Sequence, residues 1–364
     1  VGITIILPAS GSDALPVAAY GQIHRSEDGG LTWDTVYTAS TDDGSDFYSN
    51  SCVDKSSTGI ICASGNYKVR RSTDGGLTWA QVFDLWDDAY DDLKTIACGG
   101  NTWCVGGNGG RVYRSAGGAP GSWSHIYTYP YAGEVQSFVT NAAGVWLAVL
   151  TAAYDPVSGT WANDLIYKSL DDGLSWTSLG RLPDGATYPS RSVSASSTDK
   201  SGTWLLGTQN STGHKTGSIY KSTDNGESWT RTVTFPAGTF TSARVEHIQT
   251  DGNGTWCCTY SNSSGDGIYR STDGGDTWSC VFYRATASPY GPFTIATNNN
   301  GVWFAASVGY YDQPRLYRST NDGVTWEDYT GTPFGAYMSI GDFIIWGDLC
   351  PTADVQIGPG VVFE

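Results

Sequence analysis

The sequence predicts an all-β chain closed into a seven-bladed β-propeller of four-stranded antiparallel blades, with eight blades as the alternative. Three observations carry this. A phrase of the form Arg/Lys-Ser-x-Asp-x-Gly-x-Thr/Ser-Trp returns along the chain, and the Trp residues closing it (Trp33, Trp79, Trp123, Trp176, Trp229, Trp278, Trp326) lie 44 to 53 residues apart. That is the period of a repeated supersecondary unit. Between the copies, apolar residues alternate over short runs bounded by Gly, Asn and Asp, and helix-period stretches are nearly absent, which is the pattern of half-buried strands. Each period has room for four such strands, the content of one propeller blade.

Taken in order, residues 3–7 and 15–20 read as strands A and B of the first blade, ahead of the first copy of the phrase. The sixth unit shows the layout in full. Strand A is 246–250, the turn is Asp251-Gly252-Asn253-Gly254, strand B is 255–260, strand C is 267–270, and strand D starts at Trp278. The same opening of strand B recurs at Gly144-Val145-Trp146, Gly202-Thr203-Trp204 and Gly301-Val302-Trp303. The phrase itself reads as the C–D hairpin turn. Its Asp accepts from backbone N–H groups further along the turn, its Gly supplies positive φ, and its hydroxyls bond the same loop. It is intact around Asp28, Asp74, Asp171, Asp224 and Asp273, carries Asn321 in place of Asp in one copy, and is degenerate from Ser115 to Trp123. At the far end, 337–340 and 343–346 form one more A–B signal. Either a C-terminal strand closes the ring by joining the first blade, which removes an exposed edge, or an eighth, box-less blade ends at Glu364. The propeller is expected over 1–347, with 348–364 as a tail or closing strands.

These repeated residues resemble the Asp-box, or BNR, repeat seen in sialidases, sortilin-type receptors, some glycoside hydrolases and photosystem assembly factors. The resemblance runs from about Ser26 to Trp326. It implies the propeller fold, and it implies that Asp28, Asp74, Asp171, Asp224, Asp273 and Asn321 are structural turn residues. Unrelated activities sit on this repeat, so function has to be read from the site. A sialidase would need an Arg triad and a Tyr–Glu nucleophile pair. Tyr188, Tyr290 and Glu246 lie in suitable loops, but the Arg-Ile-Pro phrase of those enzymes is missing. The nearest string, Arg181-Leu182-Pro183, follows the fourth box, and the segment from Val1 to His24 holds no Arg. Sialidase activity is therefore not expected.

With 364 residues, the chain has a formal charge of −16, which argues against binding nucleic acid or anionic membranes through bulk electrostatics. No run approaches the roughly 20 apolar residues that span a bilayer. The opening residues 1–7 are too short and lack the basic flank of a leader, and the absence of an initial Met suggests removal of something upstream. A Ser/Thr/Gly/Asn-rich, Met-poor surface suits a secreted or virion-surface protein. Among the eight Cys, Cys62, Cys104 and Cys257 share one place in strand B, while Cys52 and Cys98 precede them in strand A. Cys52–Cys62 and Cys98–Cys104 are candidate cross-strand disulfides of an oxidising compartment; buried free thiols are the alternative. No CxxC zinc spacing is present.

In such a propeller the A–B and C–D turns share one face, and the D–A and B–C loops share the other. Function is expected on the second. An aromatic residue precedes each strand A: Tyr48, Tyr90, Tyr131, Tyr188, Phe240, Tyr290 and Tyr337. These either pack against the neighbouring blade or form a rim for stacking sugar rings. Arg181, Arg191, Arg244 and Arg284, with Lys94, lie near D–A connections. They are candidates for gripping a carboxylate, or for pairing with the abundant Asp. The long B–C insertion carries Trp161. Asp84, Asp87, Asp88, Asp91 and Asp92 crowd one loop and are candidate ligands for Ca²⁺, with a solvated acidic loop as the alternative; no other cofactor is expected. No nucleotide-binding, zinc-protease or nucleophile-elbow motif is present. The expectation is a non-catalytic module that recognises a glycan or a protein. A glycoside hydrolase, sialidase-like or with an Asp pair such as Asp87 and Asp155, and an assembly factor docking a protein complex are the alternatives.

Overall fold

A computed structural model of the chain describes residues 2–7, 22–26, 32–38, 52–65, 67–85, 92–129, 133–151, 153–155, 160–162, 165–183, 191–210, 217–235, 243–262, 265–285, 292–307, 315–328 and 342–346. Among these, strands form five four-stranded antiparallel sheets, a two-stranded hairpin and one eight-stranded sheet, in which two four-stranded arrays, blades 5 and 6 below, are joined where Gln209 and Asn210 pair with Arg244 and Ala243. Named in the order A to D, blade 1 is Asp342–Trp346, Gly2–Leu7, Gln22–Ser26 and Asp34–Thr38. Blade 2 is Cys52–Lys55, Ile61–Gly65, Lys68–Ser72 and Ala80–Asp84, and blade 3 is Leu93–Gly99, Thr102–Gly107, Arg111–Ala116 and Trp123–Thr128. Blade 4 is Glu134–Thr140, Trp146–Thr151, Leu165–Ser169 and Thr177–Arg181, with a hairpin of Ala153–Asp155 and Thr160–Ala162 inserted between its B and C strands. Blade 5 is Arg191–Thr198, Trp204–Asn210, Ser218–Ser222 and Thr230–Thr234. Blade 6 is Ala243–Thr250, Trp256–Asn262, Gly265–Ser271 and Ser279–Ala285, and blade 7 is Pro292–Thr297, Trp303–Ser307, Leu316–Ser319 and Glu327–Asp328.

The A strands lie side by side in a closed circuit, from blade 1 through blade 7 and back. Closure is made by the C-terminal strand, since Ile345 pairs with Ile3 and Phe343 with Ile5. This corrects the reading of the first blade. Gly2–Leu7 is strand B, and strand A is supplied from the far end of the chain; residues 15–20, 337–340 and 348–364 lie outside the described residues. Joining the two ends leaves the innermost strand of blade 1 paired rather than open.

The core is a series of layers between adjacent blades rather than one central cluster. Trp103, Trp146, Trp204, Trp256 and Trp303, one in each of five B strands, are completely buried or nearly so. Burying an indole of roughly 150–250 Å² at about 25 cal/mol per Å² is worth roughly 4–6 kcal/mol before entropy. The residue after each of the first four, Cys104, Leu147, Leu205 and Cys257, points into the next interblade layer. A Cβ on Gly118, Gly173 or Gly323 would come within 2.8–3.0 Å of the sulfur of Cys62, Cys104 or Cys257, and one on Gly226 or Gly275 would meet Leu147 or Leu205 equally closely. The turn Gly of one blade thus rests on a Cys or Leu of the blade before it. The repeated cysteines are packing residues, interchangeable with Leu.

All seven described cysteines are free thiols, and the register gives the reason. Cys98 packs in the layer between blades 2 and 3, whereas Cys104 packs in the layer between blades 3 and 4, so they project from opposite faces of one sheet. Cys52 pairs with Ser64 and Cys62 with Asp54. That offset of two residues along the strand exceeds the roughly 7 Å a disulfide tolerates between Cα atoms. Neither proposed disulfide forms.

Candidate functional site at the seam of blades 6 and 7

The C–D turns repeat one hydrogen-bond pattern. In blade 2 the Ser72 hydroxyl donates to Asp74 Oδ1 (2.7 Å) and accepts from Gly76 N (2.8 Å), Asp74 Oδ1 accepts from Thr78 N (2.9 Å), and Trp79 Nε1 donates to the Gly76 carbonyl (3.1 Å). The same network surrounds Asp171, Asp224, Asp273 and Asn321; Asp28 lies outside the described residues. Donation by Thr78, Ser228 and Thr277, hydroxyl and backbone together, holds Asp74, Asp224 and Asp273 at about 2, well below the usual carboxylate range. The A–B turns join the same face, since Asp172 N donates to the Gly144 carbonyl (3.0 Å) and Asp322 N to that of Gly301 (2.8 Å).

The basic residue that opens each phrase has a use the sequence did not disclose. It crosses to the turn of the next blade. Arg25 Nε donates to the Gly75 carbonyl (2.7 Å), Arg114 Nε to that of Asp172 (2.8 Å) and Arg270 Nε to that of Asp322 (2.7 Å), while Lys168 pairs with Glu227 (2.6 Å) and Lys221 with Asp276 (2.8 Å). Asp172 and Asp322 are the busiest of these nodes. Each holds the Arg of the preceding blade (3.0 and 2.8 Å), accepts a Thr hydroxyl from that blade, and accepts the Trp Nε1 of its own strand B (3.1 and 3.3 Å). The degenerate turn of blade 3 is the exception, and there Arg71 Nε and Trp123 Nε1 are buried without a partner. On this face the polar residues are consumed in holding blade to blade.

The opposite end of blade 6 is different. Its strands align Arg244, Ser261, Asp266 and Arg284 in one cross-strand row. Directly opposed residues share a face of the sheet, and Ser261 lies on the face of Cys257, which points towards blade 7. A bulge between Val245 and His247 adds Glu246 to the row. Glu246, only 4% exposed, accepts from the Ser261 hydroxyl (2.6 Å) and pairs with Arg244 Nε (2.5 Å). Asp266 is completely buried and lies 3.5 Å from an Arg284 nitrogen, and its Oδ1 has no partner. From blade 7, the Tyr317 hydroxyl is likewise buried without a partner, beside the Arg315–Asp328 pair (2.6 Å). Burial pushes Asp266 up to about 7 despite the Arg284 charge, with Glu246 adding to the rise, and it raises Glu246 too. His247, half-buried at the same seam, is lowered by desolvation to about 4 and is neutral above that.

Of the sequence candidates, Arg244 and Arg284 come together here, but they flank a single blade rather than converging from adjacent ones. Each faces a buried acid. Arg191 begins strand A of blade 5, opposite Asn210, which in turn pairs with Ala243, so its backbone adjoins the same row. Trp161 pairs with Tyr154 in the inserted hairpin of blade 4. Arg181 ends strand D of blade 4, and Lys94 occupies the bulge of strand A in blade 3. Asp84 accepts from Gln81 Nε2 (3.0 Å), and Asp92 accepts from Asn108 Nδ2 (3.5 Å). Asp87, Asp88 and Asp91, and all seven rim aromatics including Tyr90, Tyr131, Tyr188 and Tyr290, lie outside the described residues. Among the described residues no three metal-ligating side chains gather. Sequence reasoning missed Asp266 and Tyr317. The available signal was an acid set directly before the Gly-Ile-Tyr-Arg-Ser of strand C, where blade 5 has Gly217.

The fold and its sheets define the class: a β-propeller. No family model matches the sequence, and no curated protein matches it either. Among solved structures, the chain is similar to YCF48 from Cyanidioschyzon merolae (19% identity, TM-score 0.52, covering 76% of this chain and 84% of that one). It is also similar to YCF48 bound to D1 peptide (16%, 0.51, 78% and 86%). A third similar structure is the GH74 xyloglucanase from Xanthomonas campestris (16%, 0.58, 89% of this chain), of which the chain spans only 52%. At these identities the likeness is one of fold. Among the described residues no helix is long and apolar enough to cross a membrane.

Proposed function

We propose that this propeller is a binding module that engages a glycan or a protein segment through its D–A and B–C loop face, at the seam of blades 6 and 7. One observation carries the reading. Polar residues on the turn face recur blade after blade and serve the repeat, whereas among the described residues Arg244, Glu246, Ser261, Asp266 and Arg284 form a row confined to blade 6. A structural need common to all blades does not explain a row that the described residues show in one. The neighbour with a bound peptide supports use of this fold for docking a protein. An exported or virion-surface setting belongs to the same proposal and rests on composition.

The test is a glycan microarray together with a displayed peptide library, screened with the wild type, the Arg244→Gln/Arg284→Gln variant and the turn-face variant Asp224→Ala, each with its melt recorded. Hits lost in the first variant and kept in the second support the reading. Hits kept in the first and lost in the second would move the site to the other face. A second reading, glycoside hydrolysis, is favoured by the two buried acids with raised proton affinity, because a general acid must hold its proton near neutrality. Turnover of unsubstituted glycosides that disappears in Asp266→Asn would establish it.

A further inference from the structure

We propose that the loop-face seam between blades 6 and 7 is a proton-operated latch, in which the ionisation state of Asp266 decides whether Arg284 is drawn into the seam or presented at its mouth. This rests on the binding role of that face and names its regulation. The geometry is a buried carboxyl with one oxygen unpartnered and the other at the long limit of a contact to Arg284, 3.5 Å away. Arg284 is 23% exposed where Asp266 is sealed, so one guanidinium reaches from the solvent edge towards a buried acid. A neutral carboxyl in that position asks little of it. An ionised one, taken out of water, requires charge-assisted donors at ordinary hydrogen-bond distance, and Arg284 is the cation placed to supply them.

Other charged and titratable groups also face the seam. On the same sheet, Arg244 is held by Glu246, which also takes the Ser261 hydroxyl. His247 is neutral above about pH 4. From blade 7, strand A between Pro292 and Thr297 carries no titratable side chain, Tyr317 has its ionisation raised by burial, and Arg315 is paired with Asp328. Asp266 changes charge near neutral pH, burial having raised it to about 7. Its charge cannot be shared with Glu246 at no cost, because two buried carboxylates raise each other's proton affinity.

The experiment needs no partner. Arginine modification by phenylglyoxal is followed by peptide mass spectrometry, and the rate at Arg284 is expressed relative to the same site in Asp266→Asn, which removes the reagent's own pH dependence. As Asp266 passes from mostly protonated to mostly ionised between pH 6 and 8, the ratio is expected to fall by about tenfold, the change in protonated fraction across two units centred near 7. A ratio constant over that interval would overturn the latch. Should Asp266→Asn fail to fold, the wild-type carboxyl is titrated by NMR with selectively labelled Asp. A resonance with its midpoint near 7 supports the proposal, and titration of every Asp below 5 sinks it. Loss of binding in the arginine variants together with a constant ratio would leave the docking face intact and remove only its regulation.

Discussion

At the turn face, Asp74, Asp224 and Asp273 stand in solvent and are held at about 2 by donors within their own turns, whereas in the seam of blades 6 and 7 Asp266 is sealed and pushed up to about 7. The same side chain has been driven in opposite directions by two environments. In the turns, each carboxylate receives hydrogen bonds arranged by local sequence, so any blade with the phrase reproduces them. In the seam, the carboxyl meets its environment only after two blades have packed, and no phrase announces it. What recurs with the period serves the repeat; what departs from it has to be explained one residue at a time.

The sharpest way to break the comparison is to remove one partner from a pair at each end. Arg244→Met leaves Glu246 buried with its charge uncompensated, and a loss of about 3 kcal/mol is expected. Lys221→Met, which strips the exposed Asp276 of its cross-blade partner, should cost less than about 1 kcal/mol. Denaturant unfolding of both variants measures the gap, and equal losses would show that the seam is no more desolvated than the turns.

A second effect concerns pH above the acid range. The folded value of Asp266 is raised above that of an unfolded chain, near 3.9, so native protein binds the extra proton between those values. Stability is full below about pH 4 and is lost as pH rises towards 7. Asp266→Asn, which cannot ionise, should flatten this limb and be the more stable protein at pH 8, by roughly 2 kcal/mol. Melting both across pH 5 to 8 decides it, and parallel curves would remove the burial argument.

Crowding between blades is separable from backbone strain by a pair of glycines. Gly323 and Gly252 both have positive φ, +76° and +75°, yet a Cβ on the first would meet Cys257 Sγ at 2.8 Å while the second has open space. Gly252→Ala should cost roughly 1 kcal/mol, and Gly323→Ala about 1–3 kcal/mol more. Pairing Gly323→Ala with Cys257→Ala should recover part of the difference, since the added methyl then has somewhere to go.

How much of this was legible in the sequence follows the same division. The blades, the turn phrase and the shared face of A–B and C–D turns were readable because they repeat, and local donors and acceptors alone dictate them. The reading of strand C of blade 6 began at Gly267, whereas the strand runs Gly265–Ser271; strand A begins at Ala243 rather than Glu246, and strand B extends to Asn262. Those trimmed ends hold Arg244, Ser261 and Asp266. Polar residues at a strand end look like loop residues until a neighbouring blade covers them, and one sequence contains no statement of what covers what. The crossing role of Arg114 and Arg270 was hidden for the same reason, as their acceptors lie 58 and 52 residues away.

The smallest expected effect lies on the acid side. Asp74, Asp224 and Asp273 have folded values near 2, below the roughly 3.9 of an unfolded chain. Their contribution is therefore fully present above about pH 4 and is lost as pH falls from there through 2, when the native state must take up protons that break the bonds from Thr78, Ser228 and Thr277. These groups are solvent-exposed, so each contributes little. Asp224→Ala should lower stability at pH 7 by about 1 kcal/mol, mainly through its lost turn bonds, and should leave loop-face binding unchanged. Asn321 already occupies the equivalent place in blade 7, donating to Thr325 Oγ1 at 2.7 Å and accepting from Thr325 N at 2.9 Å, which shows that an amide fits the turn. Asp224→Asn should accordingly keep more stability than Asp224→Ala at pH 7, and the two should converge with the wild type near pH 2, where the carboxylate advantage has gone. Acid titrations of all three proteins followed by circular dichroism test this. An acid limb of the same depth in Asp224→Asn as in the wild type would mean that the turn carboxylates do not set it.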